Sequence, residues 1–142
     1  MSESMPNFDE SLKGIEQGRA KFAYKCVEEV LKTNYKSDYK SYVKRVPMLI
    51  KTNGLGATYA FIFSKKDKES GAAYKKIYDD TVRWLNWENR GLIDLSEKDG
   101  EKGNELVKKI IELNSSEYRA VTIEILLFFE WLRRFAEGMI KE

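Results

Sequence analysis

Apolar side chains recur every three or four positions along most of the chain, which is the spacing of one face of a helix. The first such stretch runs from Phe8 to about Val30. The last is apolar on nearly every side between Ile123 and Leu132, as in a helix buried within a core. Together with shorter stretches between them, the pattern predicts an all-α fold, a compact bundle of five to six helices. We expect one domain over residues 8–142, preceded by a flexible N-terminal arm at residues 1–7.

The second stretch, residues 36–53, carries the most informative pattern. Its apolar positions trace one helical face, and four lysines at spacings of four, four and seven form a row that we call the basic stripe. We expect this row to lie on the side away from the apolar face. Pro47 predicts either a kink near residues 43–46 or a helix restart, because proline lacks a backbone donor and clashes with the preceding turn. Gly54 predicts a helix end in the left-handed conformation. The basic stripe consists of Lys36, Lys40, Lys44 and Lys51.

The boundaries of the remaining helices follow from polar and glycine residues. Residues 59–63 are apolar on every side and fit a buried strand or a buried helix; we predict a helix, since no partner strand is evident elsewhere. A fourth helix ends at Gly91, residues 92–104 form a solvated loop, and a short fifth helix ends near Asn114. Trp84 and Trp87 fit the rim of the core, with a protein contact or a base-stacking platform as alternatives. Helix caps are predicted at Ser37 or Asp38, at Ser70, and at Ser115 or Ser116.

Composition limits the chemistry that the chain can perform. It has no histidine, which removes the usual general base, the histidine-activated nucleophiles and the commonest zinc ligand. The single cysteine, Cys26, lies on the apolar face of the first helix and is interpreted as a small core residue. The glycines at 54 and 56 lack the rest of a phosphate-binding motif and predict a tight turn. We therefore predict no enzymatic activity, no metal and no cofactor.

The net charge of +2 conceals an uneven distribution. Residues 19–68 carry twelve Lys or Arg against four Asp or Glu, a balance of +8. Such a segment suits an anionic partner, of which nucleic acid is the commonest large example, although a solvated lysine-rich face is equally compatible. Arg19 falls within the apolar line of its helix, where a structural ion pair or hydrogen bond is favoured over an RNA contact. The start of the chain lacks the pattern of a secretory signal and no apolar run suits a membrane span, so we expect a cytoplasmic protein.

Three blocks of the sequence together form a recognisable pattern. They are GIEQGRAKFAY with Gln17, Arg19 and Ala20; YVKRVPMLIKTNGLGATYAF with Lys44, Pro47 and Asn53 to Gly56; and SSEYRAVTIEILLFFEWLRRFAEGMI with Tyr118, Arg119, Ala120, Trp131, Leu132, Arg134 and Ala136. On these blocks the chain resembles a known family, the small helical subunit of type III-B CRISPR effectors, which is the fifth protein of the Cmr (RAMP module) complex. The likeness covers nearly the whole chain from about residue 15, and its most specific part is a proline followed by Asn-Gly-Leu-Gly.

This resemblance implies a structural role in an antiviral ribonucleoprotein. Family members stack as a short filament and help line the channel where target RNA pairs with guide RNA, while other subunits cleave. The implied partners are other Cmr subunits, further copies of this chain, guide RNA and target RNA, with no membrane and no small-molecule substrate. Lysine and arginine neutralise phosphates without reading sequence, as a guide-programmed complex requires. A helical protein-interaction adaptor without RNA contact is the alternative. The predicted RNA-facing residues are Lys40, Lys44, Lys51, Arg45 and Arg19.

Overall fold

The computed structural model describes residues 8–86 and 102–141, with side chains described for residues 14–86 and 106–141. Within these ranges the chain forms six helices and no strand, which confirms the predicted all-α fold. The region predicted as an N-terminal arm, Trp87, the predicted helix end at Gly91 and most of the predicted loop lie outside the described residues. The helices are α1 (Phe8–Val30), α2 (Lys36–Asn53), α3 (Leu55–Lys65), α4 (Ala72–Leu85), α5 (Lys102–Glu112) and α6 (Ser115–Met139).

Helix α6 is the element along which α1 and α2 lie, as its nearly continuous apolar sequence predicts. Helices α3 and α4 pack against each other and against α2, and α5 contacts both α3 and α4. The centre of the core is aromatic: Trp84 stacks on Phe128 with ring centroids 5.7 Å apart, and Phe22 lies 5.4 Å from Trp84. Trp84 is fully buried, so the predicted position at the core rim is wrong for this residue.

The prediction of a helix for the apolar run after Gly54 is confirmed. Helix α3 buries Leu55, Tyr59 and Ile62 completely. The Tyr59 hydroxyl lies 2.8 Å from the Thr81 hydroxyl of α4, so the polar end of this buried ring is hydrogen-bonded. A buried tyrosine with a satisfied hydroxyl fixes the position of α3 against α4.

Helix α2 continues through Pro47, so the predicted restart at this residue is wrong, while the kink near residues 43–46 stays a prediction. Gly54 ends α2 and begins α3, and its N–H donates to the Ile50 carbonyl at 2.8 Å. Its φ of 94° is positive, as predicted, but its ψ of 158° is extended rather than left-handed helical. That combination is open almost exclusively to glycine, which explains the residue type at this turn.

The predicted caps are displaced by a few residues. Helix α2 follows Tyr35 and α4 follows Gly71, in both cases without a side-chain cap. Helix α6 is capped by Asn114, whose side chain accepts from the Glu117 N–H at 2.8 Å while the Glu117 carboxylate accepts from the Asn114 N–H at 3.1 Å. This reciprocal arrangement satisfies two backbone donors, which a serine cap alone does not. The predicted caps at Ser37 or Asp38, Ser70, and Ser115 or Ser116 are therefore corrected.

Candidate nucleic-acid interface

The basic stripe lies along the flank of α2 that adjoins α6, not on the side away from the core. The Lys40 ammonium donates to the Ile140 carbonyl at 3.0 Å, and the Lys44 ammonium is 4.0 Å from the Glu137 carboxylate. The reason is helical geometry: each of these lysines directly follows a buried residue, and one residue turns the helix by only about 100°. The basic stripe therefore lies about a quarter turn around α2 from the buried face of this helix.

Lys44 and Lys51 are exposed and border a surface groove between α2 and α6. The floor of this α2–α6 groove is apolar, and three of its side chains are unusually open to solvent: Met48 at 64%, Ile123 at 53% and Leu127 at 42%. The groove therefore combines cations with exposed apolar area, which suits a phosphate backbone at its edge and a protein surface at its centre. Its remaining lining residues are Pro47, Leu126, Phe129, Glu130 and Arg133.

Arg133 and Arg134 are held by one carboxylate of their own helix. Glu130 accepts from Arg133 at 3.2 Å and lies 3.5 Å from Arg134. Glu137, on the next turn of α6, lies 4.0 Å from the Lys44 ammonium of α2. All these side chains are substantially exposed, so each pair contributes at most about 1 kcal/mol.

Arg45 points to a different surface from that of Lys44 and Lys51. Its guanidinium lies 5.4 Å from the centre of the Tyr42 ring and donates to the Tyr74 hydroxyl at 3.2 Å. These partners belong to the side of α2 that contacts α4. The five predicted RNA-facing residues therefore do not form one patch.

Arg19 forms a buried ion pair, the role favoured from its place in the apolar line. Its Nε and terminal nitrogen donate to the two carboxylate oxygens of Glu124 at 2.7 and 2.9 Å, and Trp84 Nε1 donates to the same carboxylate at 2.8 Å. The side chains of Arg19 and Glu124 are 9% and 10% exposed. Because the guanidinium faces the core, Arg19 is separate from the exposed lysines, and we remove it from the candidate interface.

A second polar cluster joins α1 to α4 through ion pairs. Asp80 is buried, and its carboxylate accepts hydrogen bonds from Arg83 at 2.8 Å and from Lys76. The Lys76 ammonium also donates to the Glu29 carboxylate. Burial raises the pKa of the Asp80 carboxyl despite these two cations. Burial likewise raises the pKa of the Cys26 thiol well above its usual range, so Cys26 is the inert core residue that its position predicts.

Tyr118 makes a contact that sequence reasoning missed. Its hydroxyl accepts from the Gly56 N–H at 2.8 Å, which ties the start of α6 to the first turn of α3. The first N–H groups of a helix lack partners within the helix, so the tyrosine acts as a cap supplied from a distance. A separation of 62 residues leaves no local sequence signal for such a contact.

Neither a metal site nor a membrane-spanning helix is found in the described part of the chain. No three His, Cys, Asp or Glu side chains there lie close enough together to hold a metal ion. None of the helices described is both long and apolar enough for a membrane span.

Comparison with known proteins gives a consistent result. Residues 15–139 match the sequence profile of a family described as CRISPR-associated protein (Cas_Cmr5). The chain is 29% identical over 123 residues to the CRISPR system Cmr subunit Cmr5 of Thermus thermophilus, covering 87% of this chain and 93% of the relative. Its fold is similar to the crystal structure of a CRISPR-associated Cmr5 family protein from Thermus thermophilus, with a TM-score of 0.70, 26% identity, and coverage of 89% of this chain and 97% of the other.

Proposed function

We propose that this chain, which belongs to the Cas_Cmr5 family, is a structural and non-catalytic small subunit of a cytoplasmic type III-B Cmr complex. The family match over residues 15–139 and the relative named as a Cmr subunit support membership of the complex. The absence of histidine from the sequence favours a structural role over acid–base catalysis. Further copies of the chain stack on one another within the assembly.

Within the complex, Lys44 and Lys51 face the phosphates of guide or target RNA. The observation that carries this assignment is their exposure on one flank of α2, where neither ammonium is closer than 4.0 Å to a carboxylate described in the structure. Contacts of this kind add affinity independently of base sequence. Lys40 is a weaker candidate because its ammonium is half-buried and bonded to the Ile140 carbonyl.

The apolar floor of the α2–α6 groove supports a second function, that of a protein-interaction adaptor without RNA contact. Met48, Ile123 and Leu127 together expose an apolar patch beside the lysines, and such patches commonly mark protein contacts. A neighbouring subunit, including a further copy of this chain, is the partner that this patch fits. The two functions depend on different residues of the same groove. RNA contact depends on Lys44 and Lys51, whereas the adaptor function depends on the apolar patch.

The test is a reconstituted Cmr complex carrying the double variant Lys44→Gln/Lys51→Gln. Glutamine removes the charge without placing a like charge against Glu137. We expect weaker target-RNA binding and a shallower salt dependence, since each lost phosphate contact lowers the slope of log affinity against log salt by about 0.7–0.9. The matched control is Lys21→Gln/Lys25→Gln, which removes two exposed charges from α1.

RNA affinity that stays unchanged at both low and moderate salt would reject the RNA assignment. If Met48→Asp/Leu127→Asp then releases the folded subunit from the complex, the adaptor function is supported instead. Thermal unfolding of each free variant establishes that it is folded before assembly.

A further inference from the structure

A second cleft lies between α2, α3 and α4, on another flank of α2 from the α2–α6 groove. We call it the aromatic cleft. Its walls combine three aromatic rings with two lysines, and no Asp or Glu lines it. This combination differs from the α2–α6 groove, whose exposed apolar side chains are aliphatic and whose lining includes a glutamate. The lining residues are Tyr42, Phe61, Lys65, Lys68, Ser70, Gly71 and Tyr74.

The rings of the aromatic cleft are held in a fixed arrangement. Tyr42 and Tyr74 are stacked, with centroids 4.2 Å apart and planes at 13°, and Phe61 meets Tyr74 edge-on at 5.7 Å. Arg45 braces the stack from outside, since it lies over Tyr42 and donates to the Tyr74 hydroxyl at 3.2 Å. Phe61 is nevertheless 40% exposed. A rigid cluster thus presents one large ring to solvent.

The charges around Phe61 are predominantly positive. The Lys65 ammonium lies 5.5 Å from the centre of the Phe61 ring, and Lys68 is exposed at the cleft wall. Among nearby carboxylates, Asp67 is bonded to Lys66 at 2.9 Å. The exposed ring is therefore bordered by cations that no carboxylate in the described structure neutralises through an ion pair.

We propose that the aromatic cleft binds one unpaired nucleotide of single-stranded RNA, with its base on Phe61 and its phosphate near Lys65 and Lys68. A flat ring next to cations that form no ion pair with a described carboxylate matches a base joined to a phosphate, and it accepts any base because every base has a stacking face. An apolar peptide would use the rings but not the cations. In the bound state Lys65 exchanges its position over the ring for a contact with phosphate.

This proposal rests on the proposed function in supposing that RNA reaches the subunit, but it uses different residues. The phosphate contacts of Lys44 and Lys51 lie in the α2–α6 groove, whereas Phe61, Lys65 and Lys68 line the aromatic cleft. The two can therefore be tested separately.

The experiment titrates the ¹⁵N-labelled full-length chain with single-stranded hexauridylate and follows the amide signals of residues 61–74. We expect these signals to shift, and Phe61→Leu to weaken this binding about tenfold, while Phe61→Tyr retains it because the ring is preserved. Phe61 is partly exposed, so both variants are expected to fold, which thermal unfolding checks. Inorganic polyphosphate and a six-base-pair RNA duplex are the comparison probes.

Equal affinity of the Phe61→Leu and Phe61→Tyr variants for hexauridylate would overturn the proposal, as would equal shifts with polyphosphate or the duplex. If hexauridylate leaves the signals unmoved while a Cmr subunit shifts them, the cleft is a protein contact and the proposal is also wrong. The variant Lys44→Gln/Lys51→Gln separates the two proposals, because it should retain the shifts at residues 61–74. Loss of RNA affinity in that variant with no effect of Phe61→Leu would leave the proposed function intact.

Discussion

Replacing Glu124 with glutamine, a side chain of nearly the same size, should strongly lower the free energy of unfolding. The carboxylate accepts hydrogen bonds from Arg19 at 2.7 and 2.9 Å and from Trp84 at 2.8 Å, and the side chains of Arg19 and Glu124 are only 9% and 10% exposed. Glutamine offers one acceptor oxygen and places an NH₂ group against the other donors. The guanidinium then remains buried without a counter-charge.

The expected loss follows from these contacts. Removing one partner of a buried ion pair costs about 3–5 kcal/mol, because the remaining charge stays desolvated. For a chain of 142 residues the unfolding entropy is about 0.3 kcal/mol per degree, so a loss of ~3 kcal/mol lowers Tm by about 10 °C. Urea unfolding followed by tryptophan fluorescence and circular dichroism measures the free energy directly.

The control lies on the same helix. Glu130 pairs with Arg133 and Arg134 at the surface, so Glu130→Gln removes the same charge but should change the free energy of unfolding by less than about 1 kcal/mol. The double variant Arg19→Met/Glu124→Gln should be more stable than the sum of its single losses predicts, since no charge is then left buried. Equal effects of Glu124→Gln and Glu130→Gln would refute the reasoning.

Two further substitutions test contacts around the turns. Tyr118→Phe removes the hydroxyl that accepts from the Gly56 N–H at 2.8 Å and should lower the free energy of unfolding by about 1 kcal/mol. The control is Tyr24→Phe, because Tyr24 is 47% exposed and its edge-on ring contact with Phe135 is retained. Equal losses in urea unfolding would contradict the capping role of Tyr118. Gly71→Ala would place a Cβ 1.9 Å from the Lys65 carbonyl oxygen, so we expect the free energy of unfolding to fall by more than about 2 kcal/mol. The control is Gly138→Ala, which lies in α6 with open space around it and should be neutral or slightly stabilising. A Gly71→Ala variant with unchanged Tm would show that the backbone there relaxes freely.

Much of the fold could be predicted because helical periodicity is a local property. The apolar lines predicted for α2 and α6 are buried faces in the structure. The apolar run of α3 fitted a strand or a helix equally well by periodicity, and its helical conformation was predicted from the lack of a partner strand. The cap of α6 was misplaced because Asn114, Ser115 and Ser116 are adjacent, and the choice of Asn114 depends on its reciprocal bond with Glu117. The starts of α2 and α4 were misplaced because these helices begin without a capping side chain. Local sequence narrows such boundaries to a few positions but does not select among them.

The candidate interface was less predictable, since it depends on which helices adjoin α2. Spacing correctly placed Lys40, Lys44 and Lys51 in one row, but it could not reveal that α6 lies beside that row and supplies Ile140 and Glu137 as neighbours. Arg45 illustrates the same limit, because its aromatic partner Tyr74 is 29 residues away. The place of Arg19 in an apolar line predicted a polar partner for its guanidinium, but the sequence could not identify Glu124 as that partner.

The position of the basic stripe changes what its lysines can do. On a face opposite the core, the four lysines would form an independent cationic surface. Beside α6, Lys40 is instead bonded to the chain itself, and Lys44 and Lys51 border an apolar groove. A single bound partner can therefore cover the apolar floor while RNA passes along the edge that Lys44 and Lys51 form. Burial of Met48 and Leu127 by a neighbouring subunit would lower the local dielectric and strengthen the attraction between these lysines and phosphate. On this account RNA affinity should be weak in the free subunit and should rise on assembly, and equal affinity per subunit in both states, measured at one salt concentration, would contradict that coupling.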